Sequence, residues 1–297
     1  MHLHGVEIED TFAEAFKMWG ARLIITAINN RWARIAAENA SGFATSVIGC
    51  GAEAGVEREI PPSETPDGRP GVSILVFAMG PKGMREQLMN RVGQSIMTCP
   101  TTACFDGLEH GEKTLKIGGT LRYFGDGFQI SKLLEGRRLW RIPVMEGEFV
   151  IDESFHIQKS VGGGNFLILG EDTEAALEAA EAAVEAIQQV PGVVAPFPGG
   201  VVRSGSKTSS KYKFLRASTN SPYCPTLRGQ VDSALPKGVN SVLEIVIDGL
   251  SEEAVAEATR VGVRAACRAG IVRISAGNYG GTLGRYQFHL HEILGGT

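Results

Sequence analysis

No apolar run in this chain approaches the length that crosses a bilayer. The longest is near Gly71–Gly80, GVSILVFAMG, where a spanning helix needs about 20 residues. The first residues, MHLHGVEIED, carry neither a basic region nor an apolar core. They do not read as a secretory signal, and the expected location is cytoplasmic, with no membrane partner. An excess of either charge is missing too: 29 basic residues face 33 acidic ones, for a net charge of −4. That balance offers no bulk attraction to nucleic acid. Cysteine is sparse. Cys50, Cys99, Cys104, Cys224 and Cys267 are odd in number and scattered, with no C-x-x-C pair, which excludes a disulfide framework and a zinc knuckle. Two His-Leu-His triplets, His2/His4 and His289/His291, come without a set of acidic or thiol ligands, so no metal site is expected.

The common nucleotide and nucleophile motifs are also absent. Gly49-Cys50-Gly51…Gly55 runs into VEREIPP rather than a helix, so no phosphate would meet a helix N-terminus there. Gly162-Gly163-Gly164 precedes a strand, and neither G-x-x-x-x-G-K-[ST] nor G-x-S-x-G occurs. A covalent serine or cysteine mechanism has no support. Chemistry in this chain is expected to run by direct attack between two bound substrates.

What is present is an order of elements given twice. Hydrophobic residues make up 43% of 297, ample for a sizeable core. In the first half, strands are expected over Ala21–Ile28, Thr45–Gly51 and Val72–Met79. A helix capped by Asn30 and stopped by Gly42 falls between the first two, and a helix over Pro81–Met97 follows the third. The run Thr114–Leu134 reads as glycine-broken β-structure, and PPSETPDGRPG (Pro61–Gly71) as an ordered connection. In the second half, strands Asn165–Leu169 and Val193–Ala195 flank a helix over Glu171–Gln189, with Leu177, Ala180, Val184 and Ile187 as its buried stripe. After an irregular region come strand Ser241–Leu250, a helix from Ser251, strand Ile271–Ala276 and a last strand, Arg285–Glu292. A shift of 169 lays Ile74-Leu75-Val76 on Leu243-Glu244-Ile245, and Arg91-Val92-Gly93 on Arg260-Val261-Gly262. The expected fold is α+β: two tightly associated ferredoxin-like lobes, 1–146 and 147–297, each a mainly antiparallel sheet flanked by helices.

Within that frame one residue stands out. SVLEIVIDGL (Ser241–Leu250) alternates with apolar residues on both faces, the pattern of a doubly covered strand. Glu244 sits between Val242 and Val246, where the duplicated frame carries Leu75. Burial raises a carboxyl pKa, so Glu244 is the candidate general acid/base; the other reading is an edge position or an arginine partner. A second candidate is the segment from Ala195 to Asn220. Pro196, Phe197 and Pro198 form a stiff apolar wall, and Gly199-Gly200 lets another group approach the backbone. Arg203, Lys207, Lys211, Lys213 and Arg216 follow among serines and glycines, a mixture suited to a carboxylate or phosphate tail or to a solvated surface. NYGGTLG (Asn278–Gly284) is similarly open, and backbone N–H groups at Gly199-Gly200 or Gly280-Gly281 are candidates for meeting an oxyanion.

DTFAEAF (Asp10–Phe16), TPDGRPG (Thr65–Gly71), APFPGG (Ala195–Gly200), ASTN (Ala217–Asn220), EIVIDGL (Glu244–Leu250) and ISAGNYGG (Ile274–Gly281) resemble, in order, the formylmethanofuran–tetrahydromethanopterin formyltransferases. The resemblance implies transfer of a formyl group between the amine of methanofuran and N5 of tetrahydromethanopterin, both as cosubstrates and with no permanently bound cofactor, with Glu244 handling the proton. It implies a homodimer or homotetramer. FGDGFQISK (Phe124–Lys132) and VVRSGSKTSSKYK (Val201–Lys213) are similar to the bacterial branch, where the chain is a subunit of a formyltransferase/hydrolase complex. Carrier contacts are expected at Phe197, Pro198, Gly199, Gly200, Arg203, Lys207, Lys211, Lys213, Asn220, Gly280 and Gly281. The alternative is a catalytically silent subunit that binds a carrier or scaffolds a complex.

Overall fold

The computed structural model describes residues 1–134 and 136–295; Glu135 and the last two positions of the expected C-terminal lobe lie outside the described residues. The chain divides by compactness into one unit of Met1–Lys17 with Val161–Thr297 and another of Met18–Ser160. The changeovers fall within two long strands, Phe12–Thr26 and Phe155–Gly170.

In the 18–160 unit, Gly71–Ala78 pairs antiparallel with the Phe12–Thr26 strand on one side (Leu23 opposite Ile74) and with Glu53–Ile60 on the other. Ala103–Asp106 pairs with the free side of Phe12–Thr26. Taken in chain order, the four strands lie fourth, first, third, second. Helices Asn30–Ser41 and Pro81–Arg91 make the two connections. This is the split βαβ arrangement. The first helix begins one residue earlier than expected, since Asn29, not Asn30, accepts the Trp32 N–H at 3.1 Å. The second buries Met84, Leu88, Val92 and Ile96 completely. It widens into a π-turn at Val92–Ile96, where the Met97 N–H donates to Val92 O at 2.8 Å.

Two expectations for this unit do not hold. Thr45–Gly51 contains a short helical turn, Val47–Cys50, capped by Ser46 and closed by Gly51 at φ 79°. So short an apolar run cannot be told apart as helix or strand by periodicity, and the two caps decide it. Thr114–Leu134 is mostly not β: helical turns Gly118–Leu121 and Arg122–Gly125 separate strands Lys113–Leu115 and Ile130–Leu134. A side chain at Gly118 would run into the Asp152 carbonyl. Ile130–Leu134, Arg137–Val144 and Gly147–Asp152 form a meander that continues the sheet through a parallel pairing with Ala103–Asp106. The connection at Pro61–Gly71 is ordered as expected, with Arg69 Nε donating to Asp67 Oδ2 at 2.8 Å.

The other unit repeats the order. Phe155–Gly170 is flanked by Ile271–Ser275 and Ser241–Gly249, both antiparallel, and Val193–Val194 lies beyond Ser241–Gly249. Again the sequence of strands is fourth, first, third, second. A hairpin, His2–Leu3 with Val6–Ile8, extends the sheet by pairing Val6–Ile8 parallel to Ile271–Ser275. Helices Thr173–Ile187 and Glu252–Ala266 start on Asp172 and Ser251, whose side chains accept the Ala175 and Ala254 N–H groups. They pack closely because small residues face inward: Gly262 lies where a Cβ would meet Ile187 at 2.8 Å. The buried stripe of the first helix is Ala176, Ala179, Ala180, Ala183, Val184 and Ile187, while Leu177 is 43% exposed. Close helix approach selects alanine over leucine for the inner face. The last strand is also shorter than expected, Tyr286–His289, with a helical turn after it. Among the described residues no helix is long and apolar enough to cross a membrane.

Candidate functional site

The Ser241–Gly249 strand has two unlike faces. Leu243, Ile245 and Ile247 are buried in the core with Val255, Ala258 and Val184 of the two helices. Val242, Glu244 and Val246 on the other face are only half-buried. This corrects the expectation of a strand covered on both sides. The apolar pattern is present on both faces, and the second face carries a small cluster of its own, buried Leu167, Leu169 and Val239 with Val242 against it, while Glu244 and Val246 stay half-buried beside it.

Glu244 lies opposite Leu167, and Leu167 lies opposite Ser275. Directly paired residues of an antiparallel sheet share a face, so these three line up across that face. Val246 is opposite Asn165, which adds an amide to the row. Its Oδ1 accepts the Gly277 N–H at 2.7 Å, and a Cβ at Gly277 would press on that amide at 2.9 Å. Tyr223 packs against Leu167 and Leu169, its hydroxyl 3.4 Å from Ser275 Oγ. The Glu244 carboxyl has no hydrogen bond or ion pair among the described residues, and no arginine partners it. Burial among these groups, with nothing to offset it, pushes its pKa from the ordinary carboxylate range up to about 7.

On the far edge of the strand runs the segment that carries the glycine pair. Val193 and Val194 pair with Gly249 and Asp248, and Val202 bridges Glu244 itself, each donating its N–H to the other's carbonyl at 2.8 and 2.9 Å. Phe197, Pro198, Gly199 and Gly200 form the turn between these contacts, with Gly199 at φ 62° and Gly200 at φ 78°. A Cβ at Gly200 would meet Val184 at 2.7 Å, so this glycine serves packing on the helix. Its N–H donates to Phe197 O at 2.7 Å. Arg203, one residue past the bridge, is exposed beside the Glu244 strand.

The remaining cations separate. Lys207 pairs with Ser218 across the loop, and its Nζ donates to Ser221 Oγ at 2.7 Å. Lys211 and Lys213 lie beyond that bridge in the exposed stretch 211–217, without an ion pair among the described residues. Tyr212 and Phe214, which alternate with them, are 58% and 81% exposed, their rings 5.7 Å apart. Asn220 turns the chain back, its carbonyl accepting the Tyr223 N–H at 2.9 Å. The structure therefore brings Arg203 and the glycine turn to the Glu244 strand and carries Lys211 and Lys213 to the outer end of the same loop.

Asn278–Gly284 is organised by a residue the sequence reading passed over. Glu14, fully buried between Ala13 and Ala15, accepts backbone N–H groups from Tyr279 at 2.7 Å, Gly281 at 3.0 Å, Leu283 at 2.5 Å and Gly284. Burial works to raise its pKa, but the N–H donors of Gly284, Tyr279, Leu283 and Gly281 outweigh it and hold the carboxyl below the ordinary range. Gly281 at φ 72° and Gly280 at φ 73° let the loop curl around this anion. The Gly280 N–H goes to Asn278 Oδ1 at 3.1 Å. The donors at Gly200, Gly280 and Gly281 are thus all engaged inside the protein, which argues against their meeting an oxyanion. Burial first, then the charges of Glu244 and Glu14, push the Tyr279 phenol up. The signal for Glu14 was the one used for Glu244, a carboxylate alternating with apolar residues in a strand.

Among the described residues no cluster of three or more His, Cys, Asp or Glu side chains forms a metal-binding group. Two family models match the chain: formylmethanofuran-tetrahydromethanopterin formyltransferase over residues 1–144, and the proximal lobe of the same family over 147–293. The formylmethanofuran–tetrahydromethanopterin formyltransferase of Methylococcus capsulatus is 59% identical over 99% of this chain and 100% of its own length. The formyltransferase of Methanosarcina barkeri superposes with a TM-score of 0.95 at 49% identity, covering 99% of this chain and 100% of the other. A chain of the formyltransferase/hydrolase complex of Methylorubrum extorquens, solved with methylofuran, superposes at 0.96 with 53% identity, covering 99% and 98%. With half-length models matching on both sides of residue 145 and full-length relatives near 50–60% identity, the chain belongs to the formylmethanofuran–tetrahydromethanopterin formyltransferase family.

Proposed function

We propose that this chain transfers a formyl group between formylmethanofuran and N5 of tetrahydromethanopterin, with Glu244 carrying the proton. The observation behind the proton role is a half-buried carboxyl without a hydrogen-bond or ion-pair partner among the described residues, which burial pushes up to about 7. An amine attacking a formyl carbon must lose a proton, and the departing amine must gain one. A group half-protonated near neutral pH serves both steps in turn, the condition under which acid–base catalysis is most effective. The carboxyl takes the proton of the attacking amine as the tetrahedral adduct forms and returns it to the leaving nitrogen as the adduct collapses. No atom of the protein bonds covalently to the formyl carbon in this sequence.

Arg203 beside the Glu244 strand and the exposed Lys211 and Lys213 support binding of an anionic carrier tail along the loop. The same reading includes a cytoplasmic location, a homodimer or homotetramer, and a place in a formyltransferase/hydrolase complex like that of the M. extorquens relative. The separate family models for 1–144 and 147–293 support lobes 1–146 and 147–297 as the units of duplication.

Purified chain mixed with both carriers, followed in the ultraviolet, tests the activity. Formyl exchange that survives prolonged chelation is the expected result, and His289→Ala and Cys99→Ser retain it. No exchange would leave a carrier-binding or scaffolding subunit; zinc lost together with activity would overturn the metal-free chemistry.

A further inference from the structure

A cavity of about 510 Å³ opens in the 18–160 unit, lined by Lys116, Arg122, Tyr123, Arg138, Trp140 and Glu153 among others. Its size falls in the range of small-molecule sites, roughly 300–1,000 Å³. Three cations face a single carboxylate, and that carboxylate is already engaged. Glu153 holds Arg138 Nε at 3.2 Å and Lys116 Nζ more loosely at 3.9 Å. Arg122 has no carboxylate partner among the described residues. Its Nε donates to Gly119 O at 3.1 Å and one Nη to the Tyr123 hydroxyl at 2.9 Å.

The guanidinium of Arg122 is stacked as well as bonded. Its central carbon lies 4.4 Å from the Trp140 ring centre and 4.7 Å from that of Tyr123. Stacking takes part of the cation out of water and fixes its fork, so little side-chain freedom is left to lose on binding. Arg85 adds a further cation at the rim by donating to Thr120 Oγ1, another lining residue, at 3.2 Å. A held, half-buried arginine among other cations is built for an anion with several charged oxygens.

We propose that this cavity binds a small polyanion, with two or three carboxylate or phosphate groups on a compact frame. All lining residues belong to the 18–160 unit, and none has a part in the formyl-transfer reading, so the proposal stands apart from it.

Calorimetric titration of the whole chain at low ionic strength tests it, with tripolyphosphate in one arm and citrate in the other. The expected result is saturable binding of one equivalent per chain in at least one arm, weakened by salt; which arm responds names the anionic group. Arg122→Gln and Arg138→Gln each weaken binding about tenfold, the loss of a charged hydrogen-bonding partner, with melting temperatures within a few degrees of the parent. Lys116→Ala, at an exposed position, weakens it by a smaller factor and serves if an arginine variant fails to fold. The Lys211→Ala, Lys213→Ala protein binds as the parent does. No saturable binding in either arm, binding indifferent to all three cavity substitutions, or binding lost in the lysine double variant would each overturn the site.

Discussion

Two glutamates placed alike in sequence end in opposite electrostatic states. Glu14 lies between Ala13 and Ala15, and Glu244 has Val242 and Val246 on its own face; each sits in a strand of apolar neighbours. Glu14 is fully buried yet held ionised by four N–H donors, while Glu244, less buried, has none and is pushed up to about 7. Four N–H donors hold Glu14 down, while nothing offsets the desolvation that raises Glu244. The sign of the pH effect differs accordingly. The folded pKa of Glu244 lies above its unfolded one, so the wild type carries a cost that is absent below the ordinary carboxylate range, grows as pH rises toward 7, and is constant above it. At full ionisation that cost is about 3 kcal/mol by the relation between pKa shift and free energy. Glu244→Leu removes it. Melting temperatures of the two proteins should coincide near pH 4.5 and separate in favour of the variant by pH 8; a gap independent of pH would mean the carboxyl is not destabilised by ionisation. The alternation around Glu244 exposed this residue in the sequence. Glu14 gave the same signal, but its donors come from residues some 265 positions away in the chain, and no local pattern announces them.

At the scale of elements, the loop over Asn278–Gly284 and the loop over Val201–Asn220 behave differently. The first is wrapped on a single buried anion, so its order depends on Glu14. Glu14→Gln replaces one acceptor oxygen with a donor and removes about half of the four bonds. Amide exchange at Tyr279, Gly281, Leu283 and Gly284 should accelerate by tenfold or more, with smaller change in the core strands, since each charged hydrogen bond contributes about 1.5–3 kcal/mol. In the wild type the folded pKa of Glu14 is depressed. Its contribution is therefore present above the unfolded carboxylate pKa and lost as pH falls through the folded one, which loosens this loop first in acid. Unchanged exchange in the variant would mean that the loop holds itself. The second loop presents Lys211 and Lys213 at its exposed end. A Lys211→Ala, Lys213→Ala protein should show a raised KM for formylmethanofuran with little change in kcat, because contacts remote from the reacting carbon act alike on ground and transition states. The difference from wild type should shrink as salt screens the lysines. An unchanged KM at low ionic strength would make the loop a solvated surface. Capping residues and helical stripes made most elements legible. The failures include a strand expected over Thr45–Gly51 and a leucine expected inside the Thr173–Ile187 helix, where caps and close helix packing override periodicity, and the β-structure expected over Thr114–Leu134, which holds two helical turns.

For the molecule as a whole, the repeated order of elements was legible in the sequence. The shift of 169 places Leu75 on Glu244, and both fall in the third strand of a unit with the order fourth, first, third, second. Leu75 is fully buried and Glu244 half-buried. The duplicated frame thus kept its core at one copy and carries a carboxylate at the other. Nothing in the alternation of Phe12–Thr26 told which unit each end of that strand would join, since register within a strand carries no label for its partner sheet. Association is a separate matter. The Ile130–Leu134 edge strand is exposed along its length, with Ile130 and Leu133 at 58% and 66%, and apolar edges of this kind are commonly covered. Sedimentation at micromolar concentration should return two or four copies of the chain; a monomer throughout would contradict the proposed homodimer or homotetramer.

The central claim is that Glu244 moves the proton in formyl transfer. The decisive measurement is kcat against pH for the wild type and for Glu244→Gln, which is nearly isosteric and cannot ionise. The account predicts a wild-type profile governed by an ionisation near 7 and a variant lowered by roughly 10²–10⁴, with that ionisation gone and the melting temperature preserved. A folded variant that turns over at the wild-type rate with the same pH profile would contradict it.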